Sequence, residues 1–326
     1  MARFDILGIG NAIVDVVART DDSFLSRHDM RKGGMALIDA AAATALYAAM
    51  PPGAESGGGS AANTCAVAAA MGARVAYLGK VADDQLGAVF RHDMTAAGVH
   101  FPSAPLRDGT PTARSLILVT PDGQRTMNTY LGACVAFGDA DVDAALVADA
   151  SVLYLEGYLF DPPAAQAAFR RAAATAHAAG RRVALSLSDP FCVDRHRAAF
   201  RQLVQRDVDI LFANETEITS LYQANRFADA AEQARADVDL AVLTQSEAGS
   251  VILRGAETVQ VAAEPTRVVD TTGAGDAYAA GLLVGLAAGR ALPVCGRLGS
   301  IAAAEVISHY GARPEADLRL LMTGLG

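Results

Sequence analysis

Residues 270–276 read Asp270-Thr271-Thr272-Gly273-Ala274-Gly275-Asp276, and they run into a string of small residues from Ala277 to Gly289. The pattern is a glycine-rich loop opening a helix. The first N–H groups of a helix have no helical acceptor and point outward, and the helix dipole adds positive potential there. With only Gly and Ala at 273–275, no bulky side chain bars another group from the backbone. Gly273, Ala274 and Gly275 are therefore expected to wall an anion hole. A carboxylate at its mouth would be repelled by a bound anion, so Asp276 needs a reason to be there. It suits a general base that takes a hydroxyl proton while the amides hold a transferring phosphoryl group. The structural alternative is a plain Gly-rich turn with an Asp cap.

Outward from this motif, short β-branched runs alternate with Ala-rich helical stretches. Strands are expected at 4–10, 75–81, 115–119, 152–156, 183–188, 209–213, 240–244, 250–254 and 258–262. Helices are expected at 61–71, 84–97, 163–179, 194–206, 215–222, 227–236, 276–289, 293–309 and 315–322. Such alternation predicts an α/β fold with a mostly parallel sheet covered on both faces. Ligands then bind beyond the carboxyl ends of the strands. Two stretches break the rhythm, 14–39 and 99–131, with turn signals at Lys32-Gly33-Gly34 and Pro121-Asp122-Gly123. They read as a small β-lid inserted in a single domain spanning 1–326, or else as ordinary surface hairpins. Pro51-Pro52-Gly53 and Ser56-Gly57-Gly58-Gly59-Ser60 read as loops, the second opening a helix.

Composition narrows the function. Of 326 residues 52% are hydrophobic, enough for a large core, but aromatics are 6% and Trp is absent, so Ala, Val and Leu must build it. A net charge of −9 argues against nucleic acid as partner, because phosphate backbones demand clustered Lys and Arg. Cys65, Cys134, Cys192 and Cys295 lie far apart without a CxxC pair, against zinc. Met1-Ala2-Arg3-Phe4-Asp5 leads into a strand without the look of a secretory leader, and no apolar run reaches the roughly 18 residues of a membrane span. A reducing cytoplasm fits these features. Gly10-Asn11-Ala12-Ile13 fails as a dinucleotide fingerprint because Ile13 stands where the third glycine belongs, and no GxxxxGK[ST] phosphate loop occurs.

The 270–276 motif resembles the C-terminal signature of the ribokinase-like, PfkB-type carbohydrate kinase family. Gly58-Gly59-Ser60-Ala61-Ala62-Asn63, then Gly72-Ala73, Val75–Lys80, Asp83-Asp84 and Gly87, resemble its N-terminal signature in the right order. The resemblance covers essentially the whole chain. It implies a ribokinase-like three-layer α/β/α core with a small β-lid, and phosphotransfer from MgATP to a hydroxymethyl group of a small sugar-containing substrate. It gives Asp276 as base and Gly273, Ala274 and Gly275 as anion hole. It places Asn11, Asp15, Gly59, Ser60, Asn63 and Arg125 around the substrate, Asp15 accepting from paired sugar hydroxyls and Arg125 reaching phosphate. Asn214 and Glu217 would organise Mg²⁺ and phosphates through water, although Asn-x-x-Glu is also a helix capping box. Thr244, Ser246, Gly249, Thr272 and Ala303 would line the nucleotide; Ser246 departs from the family's usual glycine and leaves the backbone path there open.

Among family branches the chain is most similar to the adenosine kinases. The cues are Gly10-Asn11 with Asp15, Leu187-Ser188-Asp189-Pro190-Phe191, Asn214-Glu215-Thr216-Glu217 and Thr244-Gln245. A free sugar such as ribose or fructose is the alternative substrate, to which Glu156 and Asp189 would contribute. Ala36, Leu37, Ile117 and Leu159 are candidates to contact a base. Asp270 and Thr272 lie where some members bind a monovalent cation, so K⁺ activation stays open, as does monomer against homodimer.

Overall fold

The computed structural model describes residues 2–323. Its larger sheet has nine strands, running from one edge to the other as Glu257–Val261, Ser250–Arg254, Leu240–Thr244, Ile210–Asn214, Arg182–Ser186, Ala150–Glu156, Phe4–Ile9, Val75–Leu78 and Val99–His100. The seven from Leu240–Thr244 onward are all parallel, and the two at the Glu257 edge form an antiparallel ribbon. A parallel sheet needs cover on both faces, so its strands carry apolar residues on both. Leu240 and Val242 enter the core shared with helices Ser60–Ala70, Ala274–Ala287 and Leu292–Val306. Ala241 and Leu243 enter the other core, under helices Pro163–Ala178, Pro190–Asp207, Glu215–Tyr222 and Phe227–Asp237. The result is the expected three-layer α/β/α core, with each buried Leu or Val contributing roughly 1.5–3 kcal/mol.

The second sheet has five strands in the order Met35–Leu37, Arg125–Tyr130, Ala113–Val119, Ile13–Arg19 and Ala54–Gly58. Four fall at least partly within segments 14–39 and 99–131. The fifth lies outside both, where the sequence reads as loop. Ala54-Glu55-Ser56-Gly57-Gly58 has little strand propensity of its own, but residues 54–58 pair antiparallel with 13–17, and tertiary pairing overrides propensity. Two further helices, Asp22–Arg27 and Ala40–Ala49, also went unread; each is capped by an aspartate, Asp21 accepting from Phe24 N and Asp39 from Ala42 N, both at 2.8 Å. Val99 and His100 pair with Val75 and Ala76 at the edge of the large sheet instead of joining the small one. The helix expected at 194–206 begins at Pro190, with Asp189 as N-cap and proline in the first turn. The helix expected at 315–322 shrinks to Leu318–Leu321.

Strand alternation gives the small sheet two faces. Val14, Val16, Leu116 and Leu118 belong to a core with Phe24, Leu25 and Leu46 of the two small helices. The opposite face carries Asp15, Ser115, Thr129 and Leu37 in one cross-strand row, and Val17, Ile117, Met127 and Met35 in the next. Arg125 shares that face and touches Asp270 and Thr272. This face therefore overlooks the glycine-rich loop and the carboxyl ends of the parallel strands. No helix among the described residues is long and apolar enough to cross a membrane.

Candidate active site

The helix that begins after the glycine-rich loop spans Ala274–Ala287, with Gly273 as its N-cap at φ +78°. A Cβ on Gly273 would also lie 2.6 Å from Ala312 Cβ, so only glycine fits. The amides of Gly273, Gly275 and Asp276 have no acceptor among the described residues, while Ala274 N makes a long 3.3 Å bond to Thr271 O. A Cβ built on Gly275 meets nothing within 4 Å, so the space above these amides is open to a ligand. That openness makes Gly275→Val a clean test. The variant is expected to fold normally by circular dichroism and to lose about tenfold in kcat, because its side chain occupies the approach to amides that matter most in the transition state. Unchanged kcat, or loss only through unfolding, counts against the anion hole.

Asp276 is held by the helix that follows the first glycine motif. Ser60 Oγ donates to Asp276 Oδ1 at 2.6 Å and Asn63 Nδ2 donates to Oδ2 at 3.2 Å. Burial pushes Asp276 up to about 6, while these two hydrogen bonds and the charge of Arg313 pull the other way. Ser60 and Asn63, expected beside the substrate, thus orient the carboxylate at the head of the other helix. Asn63 Oδ1 is buried with no partner among the described residues. Gly59, the N-cap of that helix at φ +94°, lets the chain pass close to Asn11, whose carbonyl oxygen would lie 2.1 Å from a Cβ at 59.

Behind this pair sits Glu156, fully buried at the carboxyl end of its strand. It accepts from Asn11 N at 3.1 Å, Asn11 Nδ2 at 2.8 Å and Ala61 N at 2.7 Å. Burial pushes it up to about 7 against the pull of those three donors. Asn11 is therefore tied into a buried network by both its nitrogens. Glu156 in turn caps the helix that presents Ser60 and Asn63, a task its sequence position alone does not reveal.

Asp15 lies on the overlooking face of the small sheet, its carboxylate against Gly58, where a Cβ would fall 2.4 Å from Oδ2. That carboxylate makes no hydrogen bond among the described residues. Burial pushes it up to about 6, opposed by Arg125 and Arg313. Arg313 carries no motif and went unread. From the loop after the last long helix it donates to Gly57 O at 2.9 Å, and its charge bears on Asp15, Asp93 and Asp276 together.

At the carboxyl end of strand Ile210–Asn214, Asn214 and Glu217 form a complete capping box: Glu217 N to Asn214 Oδ1 at 2.9 Å, Asn214 N to Glu217 Oε2 at 3.0 Å, and Asn214 Nδ2 to Glu217 Oε1 at 2.7 Å. Burial pushes Glu217 up to about 7, and nearby Asp189 and Asp276 add to the rise. No group of three or more His, Cys, Asp or Glu able to hold a metal occurs among the described residues. One carboxylate and one amide do fit a cation that keeps its waters and leans on phosphates, as Mg²⁺ does.

Thr244 ends its strand beside Asn214, in parallel register. Ser246 takes φ +50° and Gly249 φ +89°, with Gln245 N bonded to Gly249 O at 2.8 Å. Ser246 thus keeps the left-handed turn that a glycine would adopt without strain. Ala303 is part-buried on helix Leu292–Val306. Thr272 spends its amide (3.1 Å) and hydroxyl (2.7 Å) on Asp270 Oδ1. Of the residues expected against a base, Leu37 and Ile117 share the face of Asp15. Ala36 pairs with Asn128 on the opposite face, and Leu159 is 1% exposed inside the second core. Met35 and Met127, which the sequence did not flag, share the cross-strand row of Ile117 on that face.

A family model described as pfkB family carbohydrate kinase matches residues 38–318. The crystal structure of adenosine kinase from Sinorhizobium meliloti is 53% identical, with 98% of each chain covered and a TM-score of 0.91. That of a probable sugar kinase protein from Rhizobium etli CFN 42 is 50% identical over all of both chains, with a TM-score of 0.93. Among curated relatives, adenosine kinase 1 of Arabidopsis thaliana is 27% identical, with 94% of each chain covered.

Proposed function

The chain belongs to the pfkB family of carbohydrate kinases, and on that premise we propose that it transfers the γ-phosphoryl group of ATP to the 5′-hydroxyl of adenosine. ATP use comes with the family. The observation that carries the choice of a nucleoside is the apolar patch beside Asp15. Met35 and Leu37 are 54% and 56% exposed on a face that overlooks the catalytic loop, with Met127 and Ile117 next to them. A flat base covers such side chains, whereas a free sugar, ringed by hydroxyls, offers them much less apolar surface. The adenosine kinase of Sinorhizobium meliloti, 53% identical, supports the same reading.

In this reading Asp15 accepts from the ribose hydroxyls and Asp276 accepts the 5′-hydroxyl proton. Ser60 and Asn63 fix the direction of the Asp276 carboxylate. The amides at 273–276 stabilise charge on the transferring group, where preorganised donors act most strongly. Asn214 and Glu217 would hold Mg²⁺, which when bound would supply charge neutralisation along the phosphates. Thr244, Ser246, Gly249 and Ala303 receive the adenine and ribose of ATP.

A free sugar as substrate is the second reading, favoured by the 50% identity to the Rhizobium etli protein. A coupled kinase assay separates the two. Adenosine is expected to exceed ribose in kcat/KM by at least about tenfold, roughly 1.4 kcal/mol. Ribose or fructose ahead of adenosine overturns the choice and leaves the family assignment standing.

A further inference from the structure

Some members of the family bind a monovalent cation where Asp270 and Thr272 lie, and the residues present in this chain do not fit one. The Asp270 side chain is 5% exposed. Its Oδ1 accepts from Thr272 N at 3.1 Å and Thr272 Oγ1 at 2.7 Å; its Oδ2 accepts from Gly311 N at 3.0 Å and from Arg125 Nη1 in an ion pair. An ionised carboxylate offers about four lone-pair sites, and all four are taken. The positive charge that a buried carboxylate demands is already there. It comes from the small sheet: Arg125 pairs with Val119 across neighbouring strands, and the same Nη1 also donates to Thr272 Oγ1 at 2.8 Å. Thr272 directly precedes Gly273, where the candidate anion hole begins.

We propose that Arg125 is a positioning residue that takes the place of a monovalent cation. Its guanidinium neutralises Asp270 and fixes the backbone of Thr272 and Gly273, so phosphoryl transfer by this chain does not depend on K⁺. A guanidinium delivered from the lid differs from a free ion in one respect: the charge reaches the loop only when the small sheet is seated over it. Loop geometry and lid position are thereby coupled through a single side chain. The inference rests on the phosphotransfer reading of the site.

The test has one arm that needs no turnover. Wild-type protein is melted at equal ionic strength in K⁺, Na⁺ and choline chloride; its Tm is expected to be the same in all three. Arg125→Gln and Arg125→Ala, which vacate the guanidinium, are expected to gain thermal stability in K⁺ over choline. In the coupled assay, with the best substrate of the nucleoside and sugar panel, wild-type kcat is expected to vary less than twofold among the three salts. The variants are expected to lose at least tenfold in kcat and to recover part of it with K⁺ or with millimolar guanidinium. A wild-type enzyme activated tenfold or more by K⁺ overturns the proposal. So do variants whose Tm and kcat respond to neither cation, since a side chain with a merely structural role leaves nothing for an ion to replace. Failure of every substrate in the panel, with the melting results intact, defeats the functional reading and the statement about transfer, and leaves Arg125 in the place of a cation at Asp270.

Discussion

Asp276→Asn is expected to lower kcat by roughly 10²–10⁴-fold, the usual worth of a positioned base, while ATP still binds and the fold is kept. The change conserves shape. Asn can accept from Ser60 through its oxygen, but its amide faces the Asn63 amide as donor to donor, so a small loss of stability is expected alongside. What it cannot do is take a proton. The wild-type pH profile supplies the matching signature. With Asp276 pushed up to about 6 by burial, the base is ionised at neutral pH. As pH falls through about 6 it becomes protonated, and kcat/KM falls with it. The residual activity of Asp276→Asn is expected to lack that dependence on the base. Near wild-type kcat in the variant, with folding verified by circular dichroism, removes Asp276 from the chemistry.

The sequence made Asp276 legible because local chemistry fixes the pattern. A left-handed turn at Gly273, free first-turn amides and a carboxylate in that turn all belong to one continuous stretch. The α/β core was legible for a similar reason: parallel strands buried on both faces read as apolar runs, and Leu240–Thr244 emerged with the bounds expected. What stayed hidden is held together across the chain. Residues 54–58 become a strand only by pairing with 13–17, and nothing in Glu55-Ser56-Gly57 announces it. Glu156 caps a helix ninety-five residues away in sequence. Arg313 reaches Gly57 from the far end of the chain. Arg125 was read as reaching phosphate, but its buried partner is the carboxylate at the start of the very motif that gave the fold away. Single residues without a motif acquire meaning from what surrounds them, and sequence spacing does not record surroundings. Met35 and Met127 are the same case: alternation assigns them a face, but only the register with Leu37 and Ile117 shows that the face is shared with Asp15.

Asp15→Ala is expected to reduce kcat/KM for adenosine by about 10²-fold or more and to erase most of the preference for adenosine over 2′-deoxyadenosine. The Asp15 carboxylate stands on the overlooking face without a hydrogen bond among the described residues, and burial pushes it up to about 6. Two adjacent hydroxyls donating to it would reverse that cost, because hydrogen bonds to the ionised form favour it. Each such bond to a charged group contributes roughly 1.5–3 kcal/mol, so the pair reaches the size claimed. With the wild-type residue in place, a substrate lacking one hydroxyl leaves an acceptor partly unpaired beside Gly58, and 2′-deoxyadenosine is expected to be the poorer substrate by tenfold to hundredfold. With Ala at 15, nothing senses the missing hydroxyl and the ratio collapses towards one. The competing role for Asp15 is structural, a polar side chain resting against Gly58 and balancing Arg125 and Arg313. In that case Asp15→Ala lowers Tm and total activity, yet both nucleosides suffer alike. Four values of kcat/KM decide it, from two proteins on two nucleosides. A preference that survives the substitution unchanged assigns the diol to another residue, with the unpartnered Oδ1 of Asn63 the next to test.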